Sequence, residues 1–216
     1  MEKITVVVNN RDLLAWPRAM LKEMERFSAL AEVVIVDNAS TYQPLLRWYR
    51  TIPNKIFFLG NVGHTAPWTS EVLAHIKTDF YVVTDPDLDL SGVPGDCLQH
   101  LMRCLDRYPV FEKIGLGLEV EDVPAASPYY RHVNSYERSL WKLPLMGGLV
   151  RPAAVDTTFA IYHKKILNEY RVCGARTDRP YVAKHIPWAL TTMSEEFSYY
   201  VRNANASCSY KSFLGM

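Results

Sequence analysis

Four cysteines, Cys97, Cys104, Cys173 and Cys208, are scattered along 216 residues with no Cys-x-x-Cys pair and no zinc spacing. That excludes a small metal-stapled domain, and reduced thiols in a cytoplasmic setting are the expectation. No stretch approaches the roughly 20 apolar residues that span a bilayer, so no integral membrane segment is expected. The opening "MEKITVVVNN" has an acid at position two and only a short apolar run, which reads as a first strand and not a signal peptide. Formal net charge is only +1, and the absence of a basic excess argues against nucleic acid as the main partner. The segment after the first apolar run, "VNNRDLLAWPRAM", holds no glycine. A Gly-x-Gly-x-x-Gly dinucleotide loop is therefore missing, as is the glycine-rich phosphate loop of a sugar-1-phosphate nucleotidyltransferase.

What is present suffices for one sizeable α/β domain: 49% of the residues are apolar and 22% charged. No internal repeat, low-complexity tract or linker interrupts it. "ITVVV" (4–8) is a continuous β-branched run, as expected of a strand buried on both faces. "LLAWPRAMLKEMERFSAL" has helical periodicity, with Pro17 near its start where it is tolerated. "EVVIVDNAS" (32–40), "KIFFLG" (55–60) and "FYVVTDPDLDL" (80–90) read as further strands, with "PLLRWYRTI" and "APWTSEVLAHI" as helices between them. This βαβαβαβ series predicts a parallel, doubly wound sheet with right-handed crossovers. Beyond it, 95–109 predicts an amphipathic helix, 113–122 a strand, 135–143 a helix with Ser135 as N-cap, 156–163 a strand and 194–204 a last helix.

In an open parallel sheet, ligands bind beyond the carboxyl ends of the strands. Polar or flexible residues stand at four such ends: Asn9–Asn10–Arg11, Asp37–Asn38, Gly60–Asn61–Val62–Gly63, and Asp85, Asp87 and Asp89. Like charges this close repel, and a divalent cation is the simplest partner that would hold them ionised. Pro86, with its fixed φ, limits where Asp85 and Asp87 can point. Oxygen ligands suit Mg2+, Mn2+ or Ca2+, but a calcium loop would need a longer ligand series ending in Glu. Asp-x-Asp at a strand end and nothing more suits Mg2+ or Mn2+ bridging a substrate diphosphate, with Asp89 free to cap the following turn.

"VVVNNR", "VIVDNAS", "GNVGHTAPW" and "VVTDPDL", in that order, resemble the nucleotide-sugar-binding half of a GT-A glycosyltransferase. The likeness is to family-2-like enzymes, and "VDTTFAIYHK" and "DRPYVAKHIPWAL" resemble compact domains of bacteria and chlorella viruses. The resemblance implies a single-domain, Rossmann-like, mostly parallel sheet flanked by helices, with 1–91 binding the nucleotide-sugar and 92–216 the acceptor. It implies transfer of a sugar from a nucleoside-diphosphate donor, a UDP-sugar in particular, to a glycan hydroxyl with Mn2+ or Mg2+. Carried over by position, Asp37 and Asn38 would contact the nucleoside, Asn10 and Arg11 line the same pocket, and Asn61 and Gly63 form its far wall. Asp85 would face ribose or metal, Asp87 would be the main metal ligand, and His185 would complete the metal or diphosphate site. Arg176, Arg179 and Lys184 would belong to a flap over the diphosphate.

Glycosyl transfer builds oxocarbenium-like charge, so a carboxylate beside the anomeric carbon is useful. Asp156 is the first candidate and Glu137 the second, although each has an ordinary role open to it, a turn cap for Asp156 and a surface acid for Glu137. The Glu-Asp pair usual in family-2 enzymes is not evident here. A nucleotide-binding module without turnover is the non-enzyme alternative.

Overall fold

The structure, a computed structural model, describes residues 2–166, 173–204 and 210–211; Cys208 lies outside them. Eleven strands are described. They are β1 (Ile4–Asn10), β2 (Ala31–Asn38), β3 (Ile56–Leu59), β4 (Phe80–Thr84), β5 (Leu88–Asp89), β6 (Lys113–Gly115), β7 (Gly117–Leu118), β8 (Val150–Pro152), β9 (Ala160–His163), β10 (Gly174–Thr177) and β11 (Val182–His185). The helices are α1 (Ala15–Met24), α2 (Gln43–Tyr49), α3 (Ser70–His75), α4 (Cys97–Arg107), α5 (Tyr130–His132), α6 (Arg138–Leu140) and α7 (Glu195–Asn203), with a π-helical stretch, Val133–Glu137, joining α5 to α6.

Eight strands form one sheet in the order β3-β2-β1-β4-β9-β6-β10-β8, and β5-β11-β7 form a second, small sheet. The first four strands are parallel, as the βα alternation predicts. β9 then inserts antiparallel between β4 and β6, and β8 pairs antiparallel with β10 at the far edge. The large sheet is therefore mixed beyond β4. A short buried run such as "AIYH" looks the same whichever way the strand points, so its direction is not written in its pattern.

Burial on both faces explains the continuous apolar run of β1. Val6, Val8, Val82 and Ile161 pack on one side with Met20, Leu98, Leu101 and Leu105 of α1 and α4. Val7, Tyr81, Val83 and Tyr162 pack on the other with Trp68, Val72 and Ile76. Successive strand residues serve opposite layers, which is the period-2 geometry of a pleated strand.

Several local expectations are revised. The helix assigned to 135–143 begins earlier, so Ser135 is no N-cap; its hydroxyl donates to the carbonyls of Arg131 and His132, at 2.8 and 3.3 Å. Residues 156–159 form a turn, and the strand starts at Ala160. The N-terminus of α1 has no cap from Leu14, its own flanking residue. It takes one from α7 instead: a Glu196 carboxylate oxygen accepts the N–H groups of Leu14 and Ala15 at 2.9 and 3.0 Å.

At Gly117 the small sheet comes close against the large one. A Cβ there would sit 2.5 Å from the Thr177 carbonyl oxygen, where the Gly117 N–H also donates to Thr177 Oγ1 at 3.0 Å. Gly117→Ala should cost about 1–3 kcal/mol through overpacking, lowering the melting midpoint by about 2–4 °C for each kcal/mol. A calorimetric midpoint within about 1 °C of wild type would show that the strands separate freely there.

Candidate active site

A cavity of about 280 Å³ opens at the carboxyl edge of the parallel strands, where the sequence pattern places it. Three non-glycine residues at this edge adopt left-handed backbone angles: Asp12 (φ 51°), Ala39 (φ 60°) and Phe159 (φ 48°). Such strain concentrates where a loop is shaped for binding. Asp12 is fully buried, and its Oδ1 accepts the N–H groups of Thr41 and Tyr42 at 2.6 and 2.8 Å. That ties the loop after β1 to the loop after β2.

The two aspartates flanking Pro86 have different surroundings. The Asp85 N–H donates to the Thr157 carbonyl at 2.8 Å. Its carboxylate accepts hydrogen bonds from the Thr157 hydroxyl and, at 3.4 Å, from Asn9 Nδ2. Burial, reinforced by the nearby Asp87 charge, holds the Asp85 carboxyl well above the usual range. Asp87 is 7% exposed. Burial alone would raise it too, but the His185 ring 3.3 Å away and the Tyr210 hydroxyl, which donates to the same Oδ2, bring it below the ordinary value. Opposed shifts on neighbouring acids are a feature of functional sites.

His185 reaches Asp87 across 98 positions of sequence because β11 pairs antiparallel with β5, His185 opposite Leu88, and the Ile186 N–H donates to the Asp87 carbonyl at 2.8 Å. His185 Nδ1 is buried and has no hydrogen-bond partner among the described residues. The Asp87 carboxylate with the Nε2 edge of His185 3.3 Å away, beside half-buried Asp85, is a donor set that fits Mg2+ or Mn2+. Asp85, Asp87 and His185 would hold such an ion. Among the described residues no three such side chains already converge into a cage, which suits an ion that takes one or two carboxylates and completes its shell with substrate oxygens.

Of the eleven residues given a nucleotide, metal or catalytic role from the sequence, ten line this cavity: Asn10, Arg11, Asn38, Asn61, Gly63, Asp85, Asp87, Glu137, Asp156 and His185. Asp37 does not. It lies behind the wall, accepting the Ser40 N–H at 2.9 Å, and burial pushes its carboxyl up despite the Ser40 hydrogen bonds. There it holds the turn after β2. Asn38 is committed to the opposite wall. Its Oδ1 accepts from the N–H of Val62 at 2.8 Å and of Gly63 at 3.3 Å, and its Nδ2 donates to the Gly63 carbonyl at 2.6 Å. Asn10 Nδ2 bonds the Leu13 carbonyl and Tyr49 hydroxyl, both at 2.8 Å. Arg11 donates to the Asn203 carbonyl at 2.9 Å, bringing α7 against the first loop.

On the other side, Asp156 is exposed at the cavity mouth, its Oδ1 accepting the Thr157 N–H at 2.9 Å. Glu137 is no surface acid. It is 6% exposed and its Oε2 lies 2.6 Å from Arg176 Nη1, with His132 Nε2 3.8 Å from Oε1. The π-helical turn, a device often found at functional sites, carries Glu137 inward. Arg176 is therefore a buried strand residue, and Arg179 forms a two-point pair with Glu119 at 2.6 and 3.0 Å, holding that acid down at about 2. Lys184 is exposed on β11. These three residues do not form a flap. Asp89 caps the next turn by accepting the Ser91 N–H at 2.9 Å.

Tyr210, Thr157 and His132 were not foreseen. Only Thr157 had a signal, its adjacency to Asp156 in "VDTT"; a tyrosine far along the chain carries none.

No protein-family model and no curated protein matches the sequence. Solved structures do. The chain is similar to TarS residues 1–349 from S. aureus, at 14% identity and TM-score 0.51, over 97% of this chain and 68% of that one. It is similar to a mycobacterial protein at 14% identity and TM-score 0.50, over 85% and 67%. Glucosyl-3-phosphoglycerate synthase from Mycobacterium tuberculosis, with Mn2+ and uridine-diphosphate-glucose, aligns at 13% identity over 99% and 79%, but at TM-score 0.49 its ligands say nothing of this chain's. The mixed sheet, its helices on both faces and the cavity at its carboxyl edge are those of a GT-A, Rossmann-like fold.

Proposed function

We propose that the chain is a metal-dependent glycosyltransferase that moves a sugar from a nucleoside diphosphate, a UDP-sugar in particular, to a hydroxyl of a glycan acceptor. The observation that carries this reading is the Asp87–His185 pair beside half-buried Asp85, lining one cavity with Arg11, Asn61 and Gly63. A bound Mn2+ or Mg2+ would supply Lewis-acid neutralisation of the departing diphosphate. Arg11 and the loop held by Asn38 would seat the nucleotide. Asp156, at the mouth and in no ion pair among the described residues, is the group suited to the reacting centre, either taking the acceptor proton or stabilising positive charge on the sugar. Glu137, tied to Arg176, would shape the acceptor side.

Thermal unfolding with UDP, GDP or NAD, each with and without Mn2+, tests the reading. Ligand at 100 times its dissociation constant adds about 2.7 kcal/mol if it binds only the folded chain, which is roughly 5–10 °C at this length. A shift with UDP that requires Mn2+, followed by transfer from a UDP-sugar, is the expected result. A shift with GDP alone would change the donor. No shift with any nucleotide, with or without metal, would sink the proposal, and binding without turnover would leave a nucleotide-binding module.

A further inference from the structure

Whatever binds Asp87 must deal with Tyr210. The Tyr210 hydroxyl donates to Asp87 Oδ2, the same oxygen that lies 3.3 Å from His185 Nε2. Two donors from different parts of the chain thus converge on one carboxylate oxygen. Their convergence fixes the carboxylate plane.

The tyrosine is held by other aromatic side chains. Its ring meets Tyr129, Phe197 and Tyr200 edge-on, at centroid distances of 5.9, 5.3 and 6.0 Å. The next residue is anchored as well, Lys211 Nζ donating to the Ala204 carbonyl at 2.6 Å. The ring is thus packed against three aromatic side chains, while the hydroxyl makes the contact with Asp87. Outer hydrogen bonds of this kind orient metal ligands, and their loss typically weakens binding 10–100-fold.

We propose that Tyr210 is a positioning residue for the cation, its hydroxyl pinning Asp87 Oδ2 and so fixing how that carboxylate is presented beside His185. The inference rests on the metal-dependent reading above. The test is Mn2+ titration followed by the electron paramagnetic resonance of the free ion, on wild type, Tyr210→Phe and Phe197→Leu, with UDP affinity measured separately without metal. Tyr210→Phe should bind Mn2+ about 10–100-fold more weakly, with metal-free UDP affinity unchanged. Phe197→Leu, which loosens the same aromatic cluster but leaves the hydroxyl in place, should keep its Mn2+ affinity.

Equal Mn2+ affinity in wild type and Tyr210→Phe would overturn the inference while leaving the metal site intact. Tighter binding in the variant would also overturn it, showing the hydroxyl to be a competitor of the cation. Equal losses in both variants would assign Tyr210 a purely structural part. A wild-type chain that takes no Mn2+, even with UDP present, would instead remove the metal-dependent reading itself.

Discussion

Asp87→Asn is expected to lower sugar transfer about 1,000-fold or more, because a Lewis acid supplies several kcal/mol of transition-state stabilisation and each 1.36 kcal/mol is tenfold in rate. The substitution keeps the shape of the side chain and removes the charge on which His185 and Tyr210 converge. The Mn2+-dependent part of the UDP thermal shift should vanish with it. Transfer within about tenfold of wild type would mean that Asp87 is not a metal ligand.

The partner substitution should have the opposite effect on stability. Asp85 has a folded pKa raised by burial and by Asp87, so the native state holds its proton where the unfolded state has released it. Stability therefore falls as pH rises above the unfolded value of about 3.9. Asp87, held low by His185 and Tyr210, contributes stability above that value and loses it as pH falls through its folded pKa. Asp85→Asn should accordingly raise the metal-free melting midpoint at neutral pH while lowering turnover. A midpoint that falls would show that the Thr157 and Asn9 hydrogen bonds outweigh the burial of charge.

Glu137→Ala carries the largest expected loss of stability. It strands the Arg176 guanidinium, 7% exposed, with the Ala154 carbonyl 2.7 Å from Nε as its remaining described hydrogen-bond partner. Breaking a buried pair from one side costs about 3–5 kcal/mol, which for a chain of this size lowers the midpoint by roughly 6–20 °C. Replacing both partners with apolar residues of similar volume, Glu137→Leu with Arg176→Met, should restore most of it, since a desolvated pair is close to neutral against a packed apolar one. Calorimetry on Glu137→Leu, Arg176→Met and the double closes the cycle. If Glu137→Ala melts within about 2 °C of wild type, water reaches the pair and the acceptor wall is softer than the geometry indicates.

The sequence exposed the first half of the architecture well because each parallel strand is buried on both faces and ends in polar residues. "ITVVV" and "FYVV" announce their own burial, and a βα alternation has one favoured handedness. After β4 that logic weakens. β9 is four residues long and reads alike in either direction, while β5 and β7, two residues each, leave no periodicity to detect. The small sheet they form with β11 is nevertheless what brings His185 to Asp87. Candidate residues could be named at strand ends because such ends converge by topology. What each side chain does there depends on partners distant in sequence. Asp37 faces a turn, Asn38 spends its amide on the Gly63 loop, and Glu137 faces Arg176.

The carboxylate that caps α1 lies 182 positions downstream of the first amide it serves. At about 5–20 residues per second, a ribosome reaches Glu196 on the order of ten to forty seconds after Leu14. For that interval the helix has formed no partner for its leading amides, and the Arg11 loop lacks the Asn203 carbonyl that steadies it. The nascent chain can therefore assemble its first parallel strands early, while the cavity rim is completed only once α7 has been made.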